Sequence, residues 1–100
     1  MKIHFQRTGG FGGMILSNDI KIEELSDDDA QELISKMEES DFFNLPEQMR
    51  ASGRGVDRFQ YQITAETEQA SHSVSVDESA IPETLEPLIK KLIRLARSTR

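Results

Sequence analysis

The sequence predicts an α+β fold of order ββαββα, a four-stranded antiparallel sheet with two helices packed on one face. Three observations carry this expectation. Four segments alternate apolar and polar residues with the period of a strand, two place apolar residues at helical spacing, and glycine-rich or polar stretches separate the members of each strand pair. A chain of 100 residues suffices for one such domain, residues 1–100, and leaves no room for a second.

The first strand is read from Ile3 and Phe5 alternating with Lys2, His4 and Gln6, and it stops at Gly9-Gly10-Phe11-Gly12-Gly13. Met14, Leu16, Ile20 and Ile22 share a parity beyond the glycines, so a second strand closes a hairpin, with a bulge or kink expected at Asn18-Asp19. Ser26 is an N-cap, and Asp27, Asp28 and Asp29 fill the first turn, where carboxylates meet orphan N–H groups and the positive end of the helix dipole. Ala30, Leu33, Ile34 and Met37 follow at i, i+3, i+4 and i+7, which turns one stripe toward a core. Phe42, Phe43 and Leu45 cover that core before Pro46 ends any helix.

From Pro46 to Val56 no period survives, and the segment reads as the longest loop. Phe59, Tyr61, Ile63 and Ala65 then alternate with polar residues; past a turn at Glu66 to Gln69, His72, Val74 and Val76 alternate with serines, giving a second hairpin. Leu85, Leu88, Ile89, Leu92, Leu95 and Ala96 define the second helix, in which Pro87 is compatible only with the first turn.

Charge and composition narrow the functions available. Eighteen acidic against twelve basic residues give a formal charge of -6, which argues against a general binder of nucleic acid or anionic membrane. Without cysteine there is no disulfide framework or thiolate nucleophile, and the alternating start lacks the apolar run of a signal peptide; a cytoplasmic, monomeric protein is expected. Lys90, Lys91, Arg94, Arg97 and Arg100 make the last helix basic, as its dipole favours, although a basic helix also serves a docking adaptor.

Reactive constellations are not formed by the residue spacing. His4 and His72 lie on strands outside any metal-ligand spacing, and Ser71, Ser73 and Ser75 point to the face opposite His72, so neither a zinc site nor a hydrolytic triad is expected. Gly10-Phe11-Gly12-Gly13 joins two strands and lacks the third glycine of a dinucleotide fingerprint, and Gly53-Arg54-Gly55 lacks the lysine of a phosphate loop. No catalytic residue, metal ligand or cofactor is assigned.

Binding features remain. Glycines at 9, 10, 12 and 13 leave Phe11 as the one large side chain of its loop, either folded back onto the sheet end or presented as an anchor. Arg50, Arg54 and Arg58 decorate the long loop, either simply solvated or part of a contact surface. At these places the chain resembles a known family: Met1-Lys2-Ile3 leading into Arg7-Thr8-Gly9-Gly10-Phe11-Gly12-Gly13, then Phe42-Phe43-Asn44-Leu45-Pro46, Asp57-Arg58-Phe59-Gln60-Tyr61-Gln62-Ile63-Thr64, and Ile81-Pro82 with Leu85-Glu86-Pro87-Leu88. These motifs, which span nearly the whole chain, resemble the emfourin family, small cytoplasmic bacterial inhibitors of protealysin and related thermolysin-like zinc metalloendopeptidases. The resemblance implies a non-enzymatic inhibitor that blocks a protease cleft. Its protease-binding residues are then expected to be Gly9, Gly10, Phe11, Gly12, Gly13, Met14, Arg54 and Arg58.

Overall fold

A computed structural model describes residues 1–9, 15–50 and 59–98. Among them are five strands, β1 (Lys2–Gly9), β2 (Leu16–Lys21), β3 (Gln48–Met49), β4 (Phe59–Glu66) and β5 (Ser71–Asp77), and two helices, α1 (Asp27–Glu39) and α2 (Glu86–Ser98). Short 3-10 turns follow β2, α1 and β5 at Ile22–Glu24, Phe42–Asn44 and Glu78–Ala80. The strands lie in one sheet of order β2-β1-β4-β5-β3.

Register explains the core. Ile3 stands opposite Ile20 and Ala65, Phe5 opposite Ile63, Ile63 opposite Val74, and Tyr61 opposite Val76. Residues directly opposed across a ladder share a face, so alternation in the sequence becomes one apolar face. Leu33 and Met37 of α1, Phe42, and Leu85, Leu88, Ile89 and Leu92 close over it in a single buried cluster. Burying a side chain of this size is worth about 1.5–3 kcal/mol, which makes the covered face the main source of stability. The opposite face is polar: Ser17, Gln6, Gln62, Ser75 and Gln48 form a row across all five strands.

The expected four-stranded antiparallel sheet is corrected to a five-stranded mixed one. Within the segment read as a loop from Pro46, Gln48 and Met49 pair in parallel with Ser75 and Val76, and the Ser75 amide donates to the Glu47 carbonyl at 2.8 Å. Two residues carry no period, and this strand exists only because β5 offers an unpaired edge. The bulge expected at Asn18-Asp19 is also absent, since β1 and β2 pair without interruption from Lys2 with Lys21 to Arg7 with Leu16. Ile34, assigned to the buried stripe of α1, remains 38% exposed.

Local chemistry fixes the helices. The Ser26 side chain accepts from the Asp29 amide at 3.2 Å, the expected N-cap. At the far end Asp41 takes a left-handed conformation, φ 52°, which turns the chain so that Phe42 enters the core and Phe43 stays outside. His72 donates from Nε2 to the Leu45 carbonyl at 2.7 Å and meets the Phe42 ring edge-on.

One cation of α2 has a role beyond the dipole. Lys91 is buried, and its Nζ donates to Asp29 Oδ1 at 2.7 Å and lies 3.2 Å from Glu32 Oε2, tying α2 to α1. The hydrogen bond from Lys91 is the main reason both carboxyls are held below their usual range, and the bond to Asp29 raises the ammonium in turn. The Lys91 stem is buried among the apolar residues of α2 while its head reaches Asp29 and Glu32 of α1.

Candidate functional site

Both loops singled out in the sequence are bounded by residues at one end of the sheet. β1 runs out at Gly9, which stands opposite Phe59, the first residue of β4. β2 begins at Leu16, opposite Arg7, and β3 runs parallel to β5, so Met49 and the chain after it leave beside Val76 at the same end. Of the predicted binding residues, Gly9 lies in the described part; Gly10, Phe11, Gly12, Gly13, Met14, Arg54 and Arg58 lie outside the described residues. Gly9 has φ 87°, a left-handed geometry that a Cβ would oppose and that glycine adopts at little cost.

This end is braced by aromatic rings and charges. The Arg7 guanidinium carbon sits 4.4 Å from the centre of the Phe59 ring, a cation-π contact across the β1–β4 pair. Phe59 approaches Tyr61 at 6.4 Å, and Tyr61 stacks on Phe5 at 6.2 Å. The Phe59 amide donates to Glu78 Oε1 at 3.0 Å, which fastens the start of β4 to the turn after β5. Burial pushes the Tyr61 hydroxyl above its ordinary value, Glu78 adds to the rise, and Arg7 opposes it. Beside this brace a cavity of about 400 Å³ opens between Tyr61, Glu78 and Ile81 and the α2 residues Ile89, Lys90 and Ile93.

Sequence reasoning missed two features of this end. Ile15 is 65% exposed, the most exposed large apolar side chain among the described residues, and it lies immediately before β2. Its signal was legible, since it breaks the parity shared by Leu16 and Ile20 and puts an apolar residue where alternation calls for a polar one. Phe59, read as core, is only half-buried and serves as the platform for Arg7.

The remaining polar chemistry is structural. His4 bonds Asp19 through Nδ1 on the polar face, and Thr64 and Ser73 share a hydrogen bond of 2.8 Å in the same cross-strand row. His72 belongs to the opposite face, away from Ser71 and Ser73, and is occupied by Leu45. Among the described residues no three His, Cys, Asp or Glu side chains converge on a metal position, and no helix is long and apolar enough to cross a membrane.

The described residues form a small α+β domain whose sheet ends, on one side, at the residues flanking segments 10–14 and 51–58, beside an exposed isoleucine. The model of the Emfourin family matches residues 5–93, and the chain belongs to that family. Emfourins are protein inhibitors rather than enzymes, which suggests a protease-inhibitor role here. Neither the curated proteins nor the solved structures give a match.

Proposed function

We propose that this protein inhibits thermolysin-like, protealysin-type zinc metalloendopeptidases by occupying their active-site cleft in competition with substrate. The reading rests on family membership and on one observation: Gly9 pairs with Phe59, so segment 10–14 begins, at the end of β1, beside the point where segment 51–58 ends, at the start of β4. A thermolysin-like cleft takes an extended chain and a bulky apolar side chain. Phe11 or Met14 supplies that anchor, glycine amides and carbonyls at 9, 10, 12 and 13 bond to the cleft backbone, and Arg54 and Arg58 widen the contact.

Ile15 is a further apolar contact at the rim. Segment 10–14 is tied at both ends to paired strands, β1 and β2, which lowers the ordering cost of binding. The area needed, about 1,600 Å², exceeds what one loop supplies, so a second surface takes part, either the loop at 50–58 or the acidic helix from Asp27 to Glu39. Blockade is steric, with no ligand offered to the protease zinc and no cofactor. The whole chain acts as one inhibitor domain, monomeric when free and cytoplasmic.

Titration of the purified protein into a protealysin-type protease tests this. Loss of activity with a stoichiometric endpoint and competition by substrate is the expected result. Full activity at a large molar excess refutes the proposal.

A further inference from the structure

At the opposite end of the sheet lies a second surface that the inhibitory reading does not use. Met1, Ile34, Met37, Phe42 and Phe43 line a groove of about 380 Å³, closed at its rim by Glu38 and Asp41. Ile34 and Phe43 are each 38% exposed, and with Ile15 they are the exposed large apolar side chains of the described residues. Ile34 has left the stripe that seats α1, and Phe43 is held outside by the left-handed Asp41, whose carboxylate is fixed by Asn44 Nδ2 at 2.9 Å. Phe43 packs edge-on against Phe42 and tilts over His72, so its exposed position is braced.

We propose that this groove docks a segment of a partner protein that presents a bulky apolar side chain flanked by lysine or arginine. Charge complementarity selects that occupant. The charged side chains lining the groove are Glu38 and Asp41, and the terminal ammonium of Met1 is neutralised by Glu23 at 2.7 Å. A basic flank gains from both carboxylates as the apolar side chain enters. An anionic lipid surface is repelled by the same rim, and a two-fold pair of copies would bring the Glu38 and Asp41 carboxylates of both copies into one interface with no cationic side chain from the groove to offset them. β1 separates the groove, at Met1, from the candidate site, at Gly9; its eight residues span roughly 26 Å. A partner seated here therefore leaves the protease-facing end open, and the inference does not depend on the inhibitory reading.

The test is an amide chemical-shift titration of the 15N-labelled protein with two probes, the acetylated and amidated tetrapeptide Lys-Phe-Leu-Arg and its inverse Glu-Phe-Leu-Glu. Shifts confined to Ile34, Met37, Glu38, Phe42 and Phe43 are expected with the basic probe, about tenfold weaker with the acidic one. Phe43→Ser should abolish them, and Glu38→Lys should remove the preference between probes, while the amides of Gly9 and Phe59 stay in place. No shift at millimolar basic probe, equal response to both probes, or shifts spread over the sheet overturns the proposal. So does concentration-dependent dimerisation in sedimentation that Phe43→Ser abolishes, because a second copy would then be the occupant.

Discussion

Replacing Ile15 with alanine separates binding from folding at the candidate site. The side chain is 65% exposed in the free protein, so about a third of its surface is already withdrawn from water. Full burial of an isoleucine is worth about 1.5–3 kcal/mol, and the two-thirds still exposed leaves about 1–2 kcal/mol to be gained when a protease covers it. Alanine forfeits most of that gain, so the inhibition constant is expected to rise about 5- to 30-fold. Stability should change by about 0.5 kcal/mol or less, because Ile15 lies outside both β2 and the buried cluster.

The assay is tight-binding titration of a thermolysin-like protease with parent and variant, accompanied by thermal melts. A constant unchanged within twofold, with an unchanged melt, shows that the protease leaves Ile15 in water and removes it from the interface. A melting temperature lowered by several degrees shows instead that the side chain supports the fold, and the reasoning from its exposure fails.

Phe11→Ala is expected to weaken inhibition by about 2 kcal/mol or more with little change in melting, as truncation of a buried anchor does; an unaltered inhibition constant removes that loop from the mechanism. Leu92→Ala, at a fully buried position, should cost about 2–5 kcal/mol in denaturant unfolding. Phe59→Ala should cost less, about 2 kcal/mol, since the ring is half-buried and part of its contribution is the contact with Arg7; equal losses for the two variants contradict the observed packing. Acid should destabilise the protein through Asp29 and Glu32. Both are held below their ordinary values of 3.8 and 4.5, so their contribution is complete above that range and disappears as pH falls through the lowered values. Lys91 is raised above 10.5, so its contribution persists until strongly alkaline pH. In urea melts across the acid range, Lys91→Met should flatten the acid limb relative to the parent; parallel limbs would show that the helix-to-helix ion pair is not the source.

Much of the fold was legible because its signals are local. The Ser26 cap, the alternation in β1, β4 and β5, and the position of Pro87 in the first turn of α2 each depend on neighbours within a few residues. β3 was not legible, because a two-residue parallel strand is specified by the edge of β5 and by no pattern of its own. The exposed position of Ile34 escaped for a related reason: apolar spacing on a helix marks a stripe, and only the seating of α1 on the sheet decides which part of it is covered, while that of Phe43 follows from the left-handed Asp41, which no local pattern announces. At the candidate site, Gly9 was legible from its glycine-rich context, whereas Arg7 over Phe59 required the β1–β4 register.

By itself the sequence determined the class of the fold, the order of its principal strands and helices, and the membership that suggests inhibition, since periodicity, capping and motif spacing are properties of the chain. Tertiary structure decided what lies beside what. It set Gly9 opposite Phe59, brought Lys91 to Asp29 and Glu32 across 62 and 59 positions of chain, and left Ile15 and Phe43 in water at opposite ends of one sheet. Such pairings are settled by register and by how two helices share one apolar face, and these free energies arise only when distant segments meet.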